Sequence, residues 1–351
     1  MEYNKNYIAV GQAILAAALF GMSAPFSKML LVKIPPLLLS ALLYLGAGIG
    51  MLIVDSIKRI SKVERVEARL AKGELPFIIL MVLLDIAAPI SLMLGLTKTT
   101  SSTTSLLNNF EIVATSIIAL LVFREAIGKR LWFSITLITL SSSILSVEDF
   151  TNLSFSLGAI FVLLACIFWG LENNCTRKLS LKDPLQVVII KGFGSGIGAL
   201  IIAALAREML WDTVYIILSL LLGFLAYGLS IFLYVSAQRH LGAARTSAYY
   251  AVSPFVGVGI SFIIFSEPIT IYFIIALIIM IIGTYFAVVE KHSHEHIHKS
   301  IEHEHRHNHS DEHHNHTHPS TVGGEHSHPH IHDEIVHAHE HTPDIHHSHF
   351  H

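Results

Sequence analysis

Ten stretches of about twenty mostly apolar residues follow one another along the first 290 positions, and nothing restricts the chain more than having to place them all. They lie near 7–30, 36–57, 76–97, 102–123, 131–147, 155–176, 185–206, 213–237, 243–265 and 269–289. Each is long enough to cross a hydrocarbon core as a helix. Hydrophobic residues make up 52% of the chain and charged ones 14%, with a mean hydropathy of +0.59, far from the average of a soluble domain. In lipid only helices and closed barrels satisfy their own backbone, and the alternating pattern of barrel strands is missing. The sequence therefore predicts an all-α integral membrane protein with ten transmembrane helices. The first stretch follows Lys5 as a signal peptide would, but it is too long and no clear cleavage site comes after it.

The ten stretches are two copies of five. Leu121-Val122-Phe123-Arg124-Glu125-Ala126-Ile127 returns 142 positions later as Ile263-Ile264-Phe265-Ser266-Glu267-Pro268-Ile269, and the same offset pairs Thr104-Ser105 with Thr246-Ser247. Earlier in each copy, Phe20-Gly21 matches Trp169-Gly170, Ser27-Lys28 matches Thr176-Arg177, and Pro35 matches Pro184, all 149 apart. Residues 1–148 and 149–290 thus form two repeats, followed by a tail at 291–351. An odd number of spans per copy forces the second to enter the membrane upside down, the inverted repeat of a transporter. With the N-terminus in the cytoplasm, 18 of the 23 Lys and Arg residues fall on the inner side. That bias predicts a multi-pass protein of the plasma membrane with both termini cytoplasmic.

Charges inside the spans are the best guide to what the body does. Asp85 and Glu111 fall near the midplane, where a bare charge costs about 2.5 to 3.5 kcal/mol on insertion scales. They must face a cavity, pair or be protonated. They mark either a substrate or proton site or a structural hydrogen bond between helices. Asn108 and Asn109 lie within one turn of Glu111 and favour the first reading there. Asp85 has only Ser91 as a polar neighbour on its own helix, and its counterpart in the second copy is Tyr227. Glu172 and Asn173 sit near the cytoplasmic end of the sixth span, where Glu172 is expected to reach water, and Lys191 is expected to snorkel. Pro25, Pro89 and Pro254 interrupt spans, with Tyr249 and Tyr250 just before the last; broken helices free carbonyls that can line a cavity, though an ordinary kink explains any one proline. The glycine series Gly46, Gly48, Gly50 and Gly192, Gly194, Gly196, Gly198 reads as close helix packing rather than a nucleotide loop.

The tail is different chemistry. Residues 292–351 hold 23 of the 24 histidines, with a net charge of −7 from Lys291 onward when imidazoles are neutral. The candidate ligands are His292, His294, His296, His298, His303, His305, His307, His309, His313, His314, His316, His318, His326, His328, His330 and His332. So few apolar residues bury no core, and disorder is expected. Imidazole suits zinc, nickel or cobalt, and binding should weaken below about pH 6.5, where imidazole protonates. An incidental solvated extension is the plainer alternative. No span contains a histidine, and Cys166 and Cys175 share the sixth span as small buried hydrophobes, so the body argues against metal as its cargo.

Taken together, Asn108-Asn109-Phe110-Glu111, Phe123-Arg124-Glu125, Trp169-Gly170 with Asn174-Cys175-Thr176-Arg177-Lys178, and Leu241-Gly242-Ala243-Ala244-Arg245-Thr246 with Ser253-Pro254 resemble the EamA-type branch of the drug/metabolite transporter superfamily. The likeness covers residues 1–290. It implies a carrier with alternating access around a central cavity between the halves, often exporting small metabolites such as amino acids. Where that family often has proline after the Glu of the fourth span, this chain has Ile112. The expectation is an exporter of a small organic solute, with Glu111, Asn108, Asn109 and Tyr250 lining the cavity and Asp85 as proton or cation partner. No cofactor is required for transport, no nucleotide-binding motif is present, and neither an enzymatic triad nor a nucleic-acid partner is expected. Two alternatives are a divalent-metal transporter fed by the tail, which would lose metal resistance with residues 292–351, and a membrane-anchored metal buffer or sensor, indifferent to Glu111→Gln.

Overall fold

A computed structural model describes residues 2–61, 70, 72–123, 127–149, 154–176, 179, 182–241 and 243–288, together with four strands beyond them. The first repeat comprises α1 (Glu2–Gly21), α2 (Ser23–Leu30), α3 (Pro36–Ile60), α4 (Leu75–Lys98), α5 (Ser101–Leu107), α6 (Phe110–Phe123) and α7 (Lys129–Ser146). A short pair, β1 (Val147–Asp149) with β2 (Ser154–Phe155), leads to the second: α8 (Leu157–Thr176), α9 (Pro184–Leu205), α10 (Thr213–Gly223), α11 (Ser230–Leu241), α12 (Ala243–Tyr250), α13 (Ser253–Phe265) and α14 (Ile271–Val288). One π-helical turn, Phe224–Leu229, joins α10 to α11. Proline sits in the first turn of α3, α4, α9 and α13, where its missing N–H costs nothing, and Asp183 and Asp212 cap α9 and α10.

Eight of the ten expected spans are helices long and apolar enough to cross a membrane: Tyr7–Leu30, Pro36–Ile60, Leu75–Lys98, Ser101–Val122, Leu157–Thr176, Pro184–Leu205, Thr213–Ala237 and Ile271–Val288. The other two differ for visible reasons. In α7, seven of 18 residues are Ser or Thr, which lowers its hydropathy. The ninth stretch divides into α12 and α13 at Ala251-Val252, just before Pro254, as a proline that cannot donate to the preceding turn dictates. The first stretch divides at Met22, ahead of Pro25, whereas α4 runs unbroken through Pro89.

The packing repeats as the sequence does. The second spans pair with each other, α3 on α9, and so do the fifth, α7 on α14. The third span of each copy lies on the first of the other, α4 on α8 and α1 on α11. Side chains follow the same exchange. On the α7–α14 crossing, Ser134 Oγ donates to the Gly283 carbonyl at 2.8 Å and Ser141 Oγ to that of Ala276 at 2.7 Å, each residue being matched 142 positions away by the other pair's partner. At the α3–α9 crossing, a Cβ on Gly192 would lie 2.4 Å from the Gly48 nitrogen, so the two backbones touch. Buried Ser, Gly and Ala pack beside Leu in the interior, while the outer faces are apolar: Ile271, Ile278 and Ile281 of α14 are each about half exposed or more, as lipid contact requires.

Beyond the bundle, β3 (His292–His298) pairs with β6 (Ile335–His341) and β4 (Ile301–His307) with β5 (His326–His332), both antiparallel. Alternation of His with other residues sets His opposite His along each ladder, from His292↔His341 to His307↔His326. Two-stranded ladders of this kind are marginal alone in water. The proposed ligands His309, His313, His314, His316 and His318 lie outside the described residues, as do Arg124 and Glu125.

Candidate functional site

Asp85, ten residues into α4, is fully buried, and a carboxylate there persists only if other helices answer it. Three do. Tyr44 of α3 donates its hydroxyl to Oδ1 at 2.9 Å, and Lys191 Nζ of α9 lies 3.1 Å from Oδ2. The same Nζ lies 3.1 Å from Oε1 of Glu172 on α8, which also accepts from the Thr176 hydroxyl. Trp169 Nε1 donates to the Tyr44 oxygen at 3.4 Å, closing the group on its apolar side. Two expectations are corrected here. Lys191 does not snorkel, because two carboxylates lie within its reach, and Glu172, 1% exposed, does not reach water, because α8 is packed against α4 and α6 and the Lys191 side chain lies against its carboxylate.

Glu111 enters from a break in the fourth span. Although Ile112 stands where a proline would force it, α5 stops at Leu107 and α6 begins at Phe110. Through the break the bonds tighten, with the Asn109 amide on Leu106 and the Glu111 amide on Asn108, at 3.3 and 3.1 Å. Asn173 Nδ2 donates to Glu111 Oε1 at 2.6 Å and to Thr115 Oγ1 at 3.3 Å, while Asn174 donates to the carbonyls of Thr115 and Gly170. These bonds need α8 close against α6, and Gly170 permits it: a Cβ there would meet that of Ala114 at 2.7 Å. The repeat reproduces the contact, since a Cβ on Gly21 would meet that of Val256 at 2.9 Å.

The other expected residues divide. Asn108 holds a buried Oδ1 with no hydrogen-bond partner among the described residues. Asn109 turns away from Glu111: its Nδ2 donates to Leu106, and its Oδ1 accepts from Thr284 of α14 at 3.3 Å, bracing the break. Tyr250, within Coulombic reach of Glu111, has its hydroxyl 3.4 Å from Ser230 Oγ. Its ring lies 5.7 Å from Phe20 and 4.9 Å from Tyr234, and Tyr227 joins the cluster 5.9 Å from Phe20 and 5.5 Å from Tyr44. Tyr249 is partly exposed instead.

Charge and ring surface therefore converge from α1, α3, α4, α6, α8, α9 and α12. Glu172 and Lys191 lie within Coulombic reach of both Asp85 and Glu111, three carboxylates to one ammonium. Among the described residues no three His, Cys, Asp or Glu side chains are placed to share a metal ion. Sequence reasoning missed Tyr44, Thr115, Trp169 and Thr176 as partners. Lys191 carried a usable signal, since a lone lysine in an apolar span needs a counter-ion and two carboxylates were waiting for one.

The comparisons with known proteins bear on this site as a whole. The family model described as the EamA-like transporter family matches twice, over residues 7–147 and 156–289. A protein of Methanothermobacter thermautotrophicus, described as an uncharacterized transporter, is 29% identical over 296 residues, covering 80% of this chain and 85% of its own. A solved crystal structure superposes with a TM-score of 0.59 at 12% identity, over 80% of this chain and 95% of that one, a likeness of fold.

Proposed function

The chain belongs to the EamA-like transporter family, and from that premise we propose that this multi-pass membrane transporter is a secondary carrier that moves a small organic solute outward by alternating access. The eight long helices, together with α7 and the broken pair α12–α13, are read as ten spans in two inverted halves, with both termini in the cytoplasm. Support comes from the double family match, the exchange of contacts between halves and the distribution of Lys and Arg.

One observation carries the reading: buried Asp85 and Glu172 share the nearly buried ammonium of Lys191 where helices of both halves meet, beside Glu111. Burying charge is costly and stabilises little, so a group of this kind points to use rather than scaffolding. Two carboxylates share one ammonium, leaving one negative charge for a proton or small cation to balance. In this reading Asp85 and Glu172 couple, while Glu111, Asn173, Asn108 and the rings of Phe20, Tyr227 and Tyr250 meet the solute. Asn109 acts through the break it braces. The tail at 292–351 binds zinc, nickel or cobalt as a regulator or buffer of the carrier.

Thermal unfolding of the full chain against a panel of metabolites, with zinc, nickel and cobalt beside them, tests this. A ligand at 100 times its Kd stabilises by about 2.7 kcal/mol. The expected result is an organic solute that raises the midpoint of the wild type and not of Glu111→Gln. A metal shift that persists after removal of residues 292–351 would make metal the cargo and overturn the proposal.

A further inference from the structure

The turn between α4 and α5 leaves the last carbonyls of one helix and the first amides of the other in need of partners. Side chains from elsewhere meet both. Lys28 Nζ, on α2, donates to the carbonyls of Leu96 at 2.5 Å and Thr99 at 2.8 Å. Glu267, in the link between α13 and α14, accepts from the Ser101 amide at 2.8 Å through Oε1 and from the Ser102 amide at 3.0 Å through Oε2. An ammonium thus sits on the negative end of α4 and a carboxylate on the positive end of α5. The carboxylate belongs to the second repeat and the helix it holds to the first.

Glu267 reaches across because Ser266 adopts a left-handed conformation, φ 49° and ψ 41°, rare for a residue with a side chain. Such strain persists where the surroundings over-determine it and is frequent at switches. The helix so held is seven residues long and ends at the Asn108-Asn109 break that delivers Glu111. Along its length it lies on α13, with Ser261 Oγ donating to Ser101 Oγ at 2.9 Å and Ser105 set against Gly257. On the same face of the bundle Glu208 accepts from the Leu37 amide at 3.1 Å, another tie between the repeats. At the opposite face a cavity of about 570 Å³ opens between α3 and α9, lined by Asp55, Arg59, Asp183 and Gln186.

We propose that Glu267 is a latch: its carboxylate on the Ser101 and Ser102 amides holds α5 against α13 and keeps the site shut on that face, and its release lets α5 swing away. It is a positioning residue, acting on Glu111 through α5. The meaning of the latch rests on the carrier reading, but its test does not require transport. In a background with Cys166 and Cys175 replaced by alanine, Ser105→Cys is labelled with a charged maleimide on the purified full chain. Glu267→Ala should speed that labelling about tenfold, the scale of one net hydrogen bond to a charged group, and Glu267→Gln, which keeps one acceptor, by less. Ser195→Cys, buried on α9, should label as slowly as before. Unchanged labelling at 105, or an equal rise at 195, overturns the latch. Either failure leaves the solute-induced thermal shift free to stand.

Discussion

Two positions that the repeat makes equivalent are wired in opposite ways. Asp85 and Glu172 correspond to Tyr227 and Ser23, 142 and 149 residues away. Tyr227 and Ser23 join directly, hydroxyl to hydroxyl, at 2.8 Å. Asp85 and Glu172 cannot, since two carboxylates repel, and Lys191 stands between them at 3.1 Å from each. The counterpart of Lys191 is Leu42, a buried apolar residue. At these matched positions the charge stands on one side only. The difference is all or nothing: an ammonium opposite Tyr and Ser would be a bare buried cation, and two carboxylates without it a bare buried dianion.

The sharpest way to break that comparison is to remove the bridge. Lys191→Met should cost about 3 to 5 kcal/mol, the scale of breaking one partner out of a buried charged group, read as a fall in the thermal midpoint. Adding Asp85→Asn and Glu172→Gln to it should recover much of that loss, because the neutral set no longer buries charge. Making the charged side resemble the neutral one, with Asp85→Tyr, Glu172→Ser and Lys191→Leu together, should leave the purified protein folded by circular dichroism and abolish solute transport in proteoliposomes; retained transport would show that the charges are ornament. Smaller costs test the symmetry of the frame. Gly170→Ala and Gly21→Ala should each destabilise by about 1 to 3 kcal/mol, and by similar amounts, since each drives a Cβ into the equivalent helix of the other repeat. Smallest is Tyr227→Phe, which removes only a hydroxyl–hydroxyl bond and should cost about 1 kcal/mol in unfolding free energy, read as a small fall in the thermal midpoint.

Much of the fold was legible because lipid leaves so few options. Eight of the spans and the breaks ahead of Pro25 and Pro254 follow from apolar length and missing donors, whereas Pro89, read as another interruption, leaves α4 unbroken. The break at Asn108-Asn109 was not legible, since Ile112 stands where a proline would announce it. The site was half legible. Asp85, Glu111 and Glu172 stood out as charges in apolar runs, whereas their partners Tyr44, Trp169 and Thr176 are ordinary residues whose role exists only through distances between helices far apart in sequence. Lys191 was misread for the same reason. Snorkelling is argued from a residue's depth on its own helix, and the deciding neighbours were on α4 and α8.

The contact of Gly192 with Gly48 has a mechanical consequence. It lies where α3 and α9 cross, with the backbones of the two helices in contact. On the rocking-carrier reading proposed above, so close a backbone contact would serve as the fulcrum. Bulk added there should slow the inward and outward strokes together, whereas harm to one arm should tilt the balance between them.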